Sequence, residues 1–426
     1  MLIKNGQIMD PATGRNEIAD LLVSPEGKVL RIEAGITPEK DEEVLDASGC
    51  IVAPGLVDPH VHFRDPGFPE KEDILTGAAA AAKGGYTSVV MMANTKPTVD
   101  NPETLRYVTE KGKQTGIRVY AAANVTKGMQ GVELTDMETL RAGGAVGFTD
   151  DGKPLTDKAL VRRAMERVRE LGVPISFHEE DPELIANNGV NEGKASTYFG
   201  IQGSPRQAEI RMITRDLILA KETGARVIIQ HISTAEGVEL VRQAKAAGLD
   251  VHAEATPHHF TLTEEDLELY GTLAKMNPPL RTEKDRVAIA AGLRDGSIDM
   301  IATDHAPHTA EEKRQSITRA PSGIIGLETA LPLGITQLVE TGELSRMELL
   351  RCMSTAPAQV WNLDAGSLEP GRNADLVIFD PKEKRIVGET FASKACNSPF
   401  IGWELSGVVK YTVCGGRVVY RDGADA

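Results

Sequence analysis

The sequence predicts a (β/α)8 barrel, of the TIM type, flanked by a small β-sandwich-like domain built from both termini. Three observations predict it. Eight short β-rich runs alternate with amphipathic stretches, glycines stand where the helices between them would end, and the two ends of the chain alternate apolar and polar residues instead. The eight runs lie at 56–62, 86–93, 117–124, 145–149, 173–178, 226–231, 250–255 and 298–303. Among the intervening stretches, 157–171 places Leu160, Ala164, Val168 and Leu171 at helical spacing. Gly116, Gly172, Gly224, Gly248 and Gly296 precede the next run, where a left-handed helix cap is favoured. An open doubly wound sheet competes with the barrel, but no Gly-x-Gly-x-x-Gly follows the first run. Pro59 donates no ladder bond, which suits a position close to the end of a strand.

The ends divide the chain into 1–53 and 362–426, the two parts of the small β domain, around a barrel at 54–361. Asn5-Gly6 and Glu26-Gly27 supply turns in the first part. After a helix near 349–361, the runs 368–380 and 411–420 carry strand and hairpin signals.

Lys+Arg 47 against Asp+Glu 62 leaves a net charge of −15. That argues against nucleic acid or an anionic membrane as the main partner, while still allowing an anionic substrate in a locally basic pocket. No stretch approaches 18 apolar residues, and Met1-Leu-Ile-Lys-Asn-Gly has no signal-peptide core. Cys50, Cys352, Cys396 and Cys414 are scattered without a C-x-x-C spacing, as expected of reduced thiols in a cytoplasmic protein.

The chemistry sits at the ends of the predicted strands. His60 and His62 are two apart, so on a strand both rings point to one face. Asn94 follows the second run and Asp150-Asp151 the fourth, His178 ends the fifth, His231 the sixth, and Asp304 follows the eighth. In a barrel these ends share one rim. Neutral imidazoles and carboxylates converging there point to a metal centre with zinc-type ligands, in a number that allows more than one ion. His252 and Glu254, also two apart, are read as structural hydrogen-bonding groups, as are His258 and His259.

The motifs narrow this further. Asp58-Pro-His-Val-His-Phe-Arg-Asp-Pro-Gly67, Gly147-Phe-Thr-Asp-Asp-Gly152, Lys275-Met-Asn-Pro-Pro-Leu-Arg281, Ala302-Thr-Asp-His-Ala-Pro-His308, the run 320–329 and Asn397-Ser-Pro-Phe400 are similar to those of the bacterial type I dihydroorotases. These belong to the metal-dependent amidohydrolase superfamily, and the resemblance spans essentially the whole chain. It implies His60, His62 and Asp304 on one zinc and His178 and His231 on a second, with Asp151 bridging; Asp150 is the weaker candidate for that role. Related hydantoinases and allantoinases place a carboxylated lysine on the fourth strand, and here none precedes Lys153. The resemblance implies reversible cyclisation of N-carbamoyl-L-aspartate to L-dihydroorotate in pyrimidine biosynthesis, with a metal-bound hydroxide as nucleophile and Asp304 as general acid and base. It assigns His62, Arg64, Asn94, Asn277, His308, Ser322 and Gly323 to the substrate. A homodimer and association with aspartate transcarbamoylase are expectations of the same kind. The alternatives are another cyclic amidohydrolase, or an inactive homologue serving as a structural partner. The charged segment 309–316 reads either as a mobile loop closing over substrate or as solvated surface.

Overall fold

The computed structural model describes residues 1–424, so the last two positions of the expected segment 362–426 lie outside the described residues. Eight extended segments pair in parallel around a closed ring. Leu56–Val61 pairs with Tyr86–Met91, which pairs with Arg118–Ala121. Phe148 bridges both Ala123 and Ile175, inserting the fourth segment. Ile175–Phe177, Val227–Ile229, Val251–Ala255 and Met300–Ile301 follow in order. A bridge between His305 and Val61 closes the eighth segment onto the first. The fourth segment has a shorter ladder than its run of apolar residues suggests. Its Phe148 N–H bonds the carbonyl of Pro174 at 3.1 Å, and Pro174 has no N–H to return.

The helices cover the ring through apolar stripes. In Lys158–Leu171, Asp157 caps the first turn by accepting from the N–H groups of Ala159 and Leu160, while Leu160, Val161, Ala164, Met165 and Val168 are buried. Each of these side chains except the Ala164 methyl contributes about 1.5–3 kcal/mol on burial. Gly172 ends the helix at φ 66°, where a side chain would strain the backbone. Gly224, Gly248 and Gly296 also have positive φ. Gly116 does not; a Cβ there would lie 2.9 Å from Val419, so close approach of the last strand explains it.

Both ends of the chain enter one eight-stranded sheet, the β-rich domain beside the barrel. Ile51–Pro54 is where they meet: it runs antiparallel to Leu376–Ile386 and parallel to Leu2–Asp10. Ile3, Ile8, Leu21, Val52, Leu376 and Ile378 form a core of their own beneath it. The sheet then hands the chain straight to the first barrel strand. Gly55 at that junction is held by the Asp375 carbonyl (2.8 Å) and the Ser354 hydroxyl (2.7 Å), and Arg118 grips the Asp375 carboxylate at 2.8 and 3.3 Å. Among the described residues no helix is long and apolar enough to cross a membrane, and all four cysteines are free thiols.

Candidate metal centre and substrate pocket

The strand ends deliver their polar side chains to one point. His60 and His62 extend from the first strand with both Nε2 atoms towards Asp151, at 3.6 and 3.4 Å from its Oδ2. From the opposite side, His178 Nδ1 and His231 Nε2 lie 3.6 and 3.7 Å from Asp151 Oδ1. The two oxygens of one carboxylate are thus divided between two histidine pairs. Asp304 Oδ1 joins the first pair, 2.9 Å from His62 Nε2 and 3.5 Å from His60 Nε2. The donor sets His60, His62, Asp151 and Asp151, His178, His231 each gather ligand atoms within 4.8 Å of one another, all on buried residues.

The backbone is bent to make this possible. Arg64, His231 and Asp304 adopt positive φ (59°, 28° and 48°), a strain that persists only where surrounding bonds enforce it. Beside Asp304 those bonds are visible. Buried Asp58 accepts from the N–H groups of His60 and Thr303, each at 3.1 Å, and the His305 carbonyl accepts the His62 N–H at 2.9 Å. The first and eighth strands are thereby locked in register at the rim. Asp150, by contrast, faces away and is satisfied by Asn124, Val125 and Thr126.

The donor set fits a cation. His60 Nε2 and Asp151 Oδ1 are buried yet have no hydrogen-bond partner among the described residues. Three ring orientations are set from outside: the second nitrogen of His60 bonds Glu254 (3.2 Å), that of His62 bonds the Asn94 side-chain oxygen (3.0 Å), and that of His178 bonds Glu180 (3.0 Å). Each bond places the ring proton on the outward nitrogen and leaves a lone pair facing the centre. Burial disfavours charge on His60, but Asp151, Asp304 and Glu254 outweigh it and raise its proton affinity well above the ordinary value. Burial likewise opposes charge on His178, which Asp151 and Glu180 nevertheless push up to about 10. Asp151, despite burial, is held well below the usual carboxylate range by the histidines around it. This cluster calls for positive charge at its middle, which a metal ion supplies.

Beside the cluster opens a cavity of about 560 Å³, lined by every residue expected to touch substrate: His62, Arg64, Asn94, Asn277, His308, Ser322 and Gly323. Asp151, His178, His231 and Asp304 line it too, whereas His60 is fully buried behind them. Arg64 is oriented by the Pro307 carbonyl (3.3 Å), and Ser322 Oγ donates to the Asn277 oxygen (2.9 Å). His308 Nε2 donates to the Ser322 carbonyl at 2.9 Å, and burial with Arg64 nearby lowers its pKa to about 3, so its ring is neutral. A cavity of about 670 Å³ between Lys83, Glu328 and Arg385 lies away from all these ligand groups.

The family profile described as "Amidohydrolase family" matches residues 51–419. The chain belongs to the amidohydrolase family. Among curated proteins, a dihydroorotase of Clostridioides difficile (strain 630) is 55% identical over 421 residues, covering 99% of this chain and 100% of that protein. One of Clostridium acetobutylicum is 53% identical over 423 residues, with 99% and 100% covered. Among solved structures, the L-hydantoinase (dihydropyrimidinase) of Arthrobacter aurescens superposes with a TM-score of 0.89 at 28% identity, covering 100% of this chain and 97% of that one. A D-hydantoinase at 24% identity, with a TM-score of 0.87 and 100% and 96% covered, shares the fold. This chain is therefore a dihydroorotase-like amidohydrolase on the barrel and β-domain architecture of the family.

Some parts of this amidohydrolase were not visible as functional in its sequence. Glu254 was expected to be a structural hydrogen-bonding group, and its partner proves to be His60 itself. Glu180 had as its only signal a position two residues beyond His178. His252 pairs with Asp299 and Asp250 away from the site, and His259 bonds Thr256 and the Pro278 carbonyl, as structural histidines do. The charged segment 309–316 is more than solvated surface. It holds a capped turn, Ala310–Lys313, whose Lys313 is buried while Glu312 pairs with Lys71 at 2.6 Å.

Proposed function

We propose that this amidohydrolase is a zinc-dependent dihydroorotase that interconverts N-carbamoyl-L-aspartate and L-dihydroorotate. The observation that carries this reading is the aspartate at the centre: Asp151, where a lysine would suit the hydantoinase type, lines one cavity with Arg64. Full-length relatives named dihydroorotase at 49–55% identity support it. In this reading His60, His62 and Asp304 would hold one zinc and His178 and His231 a second, with one Asp151 oxygen available to each set. Bound there, the metal supplies Lewis acidity towards the ring amide carbonyl and lowers the pKa of an attacking water towards about 7.

The chain's own residues do the rest. Arg64 grips the ring carboxylate, which a planar guanidinium can hold through two hydrogen bonds. Asn94, Asn277 and the Ser322-Gly323 backbone read the pyrimidine edge, and neutral His308 adds a contact without adding charge. The Asp304 carboxylate, beside the His62 ring, takes a proton from the attacking water and delivers it to the departing ring nitrogen. In the cyclising direction the same carboxylate accepts the proton from the carbamoyl nitrogen. A homodimer, association with aspartate transcarbamoylase and a cytoplasmic location accompany this reading through family resemblance.

The test is to count zinc per chain while following dihydroorotate hydrolysis at alkaline pH, with allantoin and dihydrouracil as controls. The expected result is two zinc per chain and turnover of dihydroorotate alone, abolished by Asp304→Asn. Turnover of a control ring without dihydroorotate turnover moves the chain to another cyclic amidohydrolase. Bound zinc with no turnover at all favours the inactive partner.

A further inference from the structure

Behind the substrate pocket, two buried lysines grip one short segment of backbone. Lys275 and Lys313 are 3% and 4% exposed, and among the described residues neither amine forms an ion pair with a carboxylate. Their donors go to main-chain oxygens. Lys275 Nζ donates to the Ala320 carbonyl at 2.8 Å, and Lys313 Nζ donates to those of Pro321 and Gly323, each at 3.0 Å. His308 takes the carbonyl between them, Ser322, and Asn397 adds a second donor to Gly323 at 3.0 Å. Four consecutive carbonyls therefore each face a side-chain donor from another part of the chain. The Gly323 N–H closes the arrangement by donating to the Lys275 carbonyl at 2.9 Å.

Burying two ammonium groups without counter-ions is costly, and a purely structural lysine is ordinarily given a carboxylate. What these two receive instead is the segment that faces the ligand, since Ser322 and Gly323 line the cavity. In a trans peptide the C=O and N–H point in opposite directions. With the Pro321 carbonyl turned onto Lys313, the Ser322 N–H points away from the lysine, and the buried charge polarises that peptide along its length.

We infer that Lys313, assisted by Lys275, is a positioning residue that holds residues 320–323 in place and makes the Ser322 amide a stronger donor to an anionic ring substrate. This deepens the dihydroorotase reading and rests on it for the identity of the substrate. Burial and the nearby Lys275 bring the Lys313 amine down to about 7, so the charged donor is present below that pH, where the variants are compared. An alkyl side chain of equal length would avoid the burden and forfeit the grip.

The experiment compares zinc-loaded wild type with Lys313→Met and Lys275→Met. It measures amide hydrogen exchange across residues 316–324, KM and kcat for dihydroorotate, zinc content and thermal midpoint. The expected result for Lys313→Met is faster exchange confined to that segment and a KM raised about tenfold or more, the scale of losing hydrogen bonds from a charged donor. Zinc content and midpoint hold, because the variant removes a buried charge rather than packing. A structural lysine would instead lower the midpoint and leave KM alone. Should Lys313→Met fail to fold, Lys275→Met supplies the same readouts through the Ala320 carbonyl. Unchanged exchange in 316–324 overturns the positioning role, and raised exchange with unchanged KM overturns the polarising one. If wild type does not turn over dihydroorotate, the functional reading fails on its own, and the exchange result still decides the role of the lysines.

Discussion

Glu254 offers the sharpest test of how the metal centre is built. Its side chain is fully buried, one carboxylate oxygen bonds His60 at 3.2 Å, and the other has no partner among the described residues. Such a group costs stability where it stands, so its benefit must lie in the histidine it orients. Glu254→Gln keeps an acceptor for the His60 ring proton but removes its charge. A charge-assisted hydrogen bond contributes about 1.5–3 kcal/mol and a neutral one about 0.5–1.5 kcal/mol. The difference, about 1–1.5 kcal/mol, corresponds to roughly tenfold weaker zinc binding. Glu254→Leu removes the acceptor altogether and should weaken binding by up to about 100-fold. The assay is titration of zinc into metal-free protein against a competing chromophoric chelator, paired with the thermal midpoint of the metal-free form. In Glu254→Leu that midpoint should stay level or rise while zinc affinity falls. Equal zinc affinity in wild type and both variants would refute the orienting role, whatever happened to activity.

Other consequences can be measured directly. Arg64→Lys keeps the charge but loses the planar fork, so KM for dihydroorotate should rise by about ten- to a hundredfold with zinc content unchanged. Chelation of the metal should abolish turnover, and zinc should restore it in wild type but not in Asp304→Asn. Asp422 joins the last strand to the sheet through Arg385 (2.7 and 2.9 Å) and Lys410 (2.9 Å), and the Arg385 guanidinium holds its pKa at about 2. A carboxyl depressed in the fold stabilises it above the unfolded value near 3.8 and loses that contribution as pH falls through about 2. The thermal midpoint of Asp422→Asn should therefore lie below wild type at pH 6, and the gap should close towards pH 2. The pair is partly solvated, so the gap should correspond to no more than about 1 kcal/mol. An equal gap at both pH values would exclude this linkage.

Much of the barrel could be read from the chain because its signals are local. Strand-length apolar runs, a helix such as Lys158–Leu171 and the caps at Gly172 or Gly296 each depend on a few neighbouring residues. The fourth strand was overdrawn for a non-local reason: its ladder depends on Pro174 in the next strand, which cannot donate. The left-handed cap expected at Gly116 failed similarly, since the constraint there is the approach of Val419 from the far end of the chain. At the site, His60 and His62 were legible from their period of two, and the remaining ligand candidates from their place at strand ends.

The sequence by itself determined the barrel order, the types of ligand available and the rim on which they would meet, because backbone periodicity dictates which way each side chain points. Only the tertiary structure decided what surrounds those ligands. That Asp151 divides its two oxygens between two histidine pairs depends on where four strands converge. That Glu254 orients His60 joins residues 194 apart, and that Lys313 and Lys275 hold the carbonyls of 320–323 depends on how separate loops fold over the pocket. Hydrogen bonds and buried charges act over a few ångströms, and no spacing along the chain reports which distant groups will come that close.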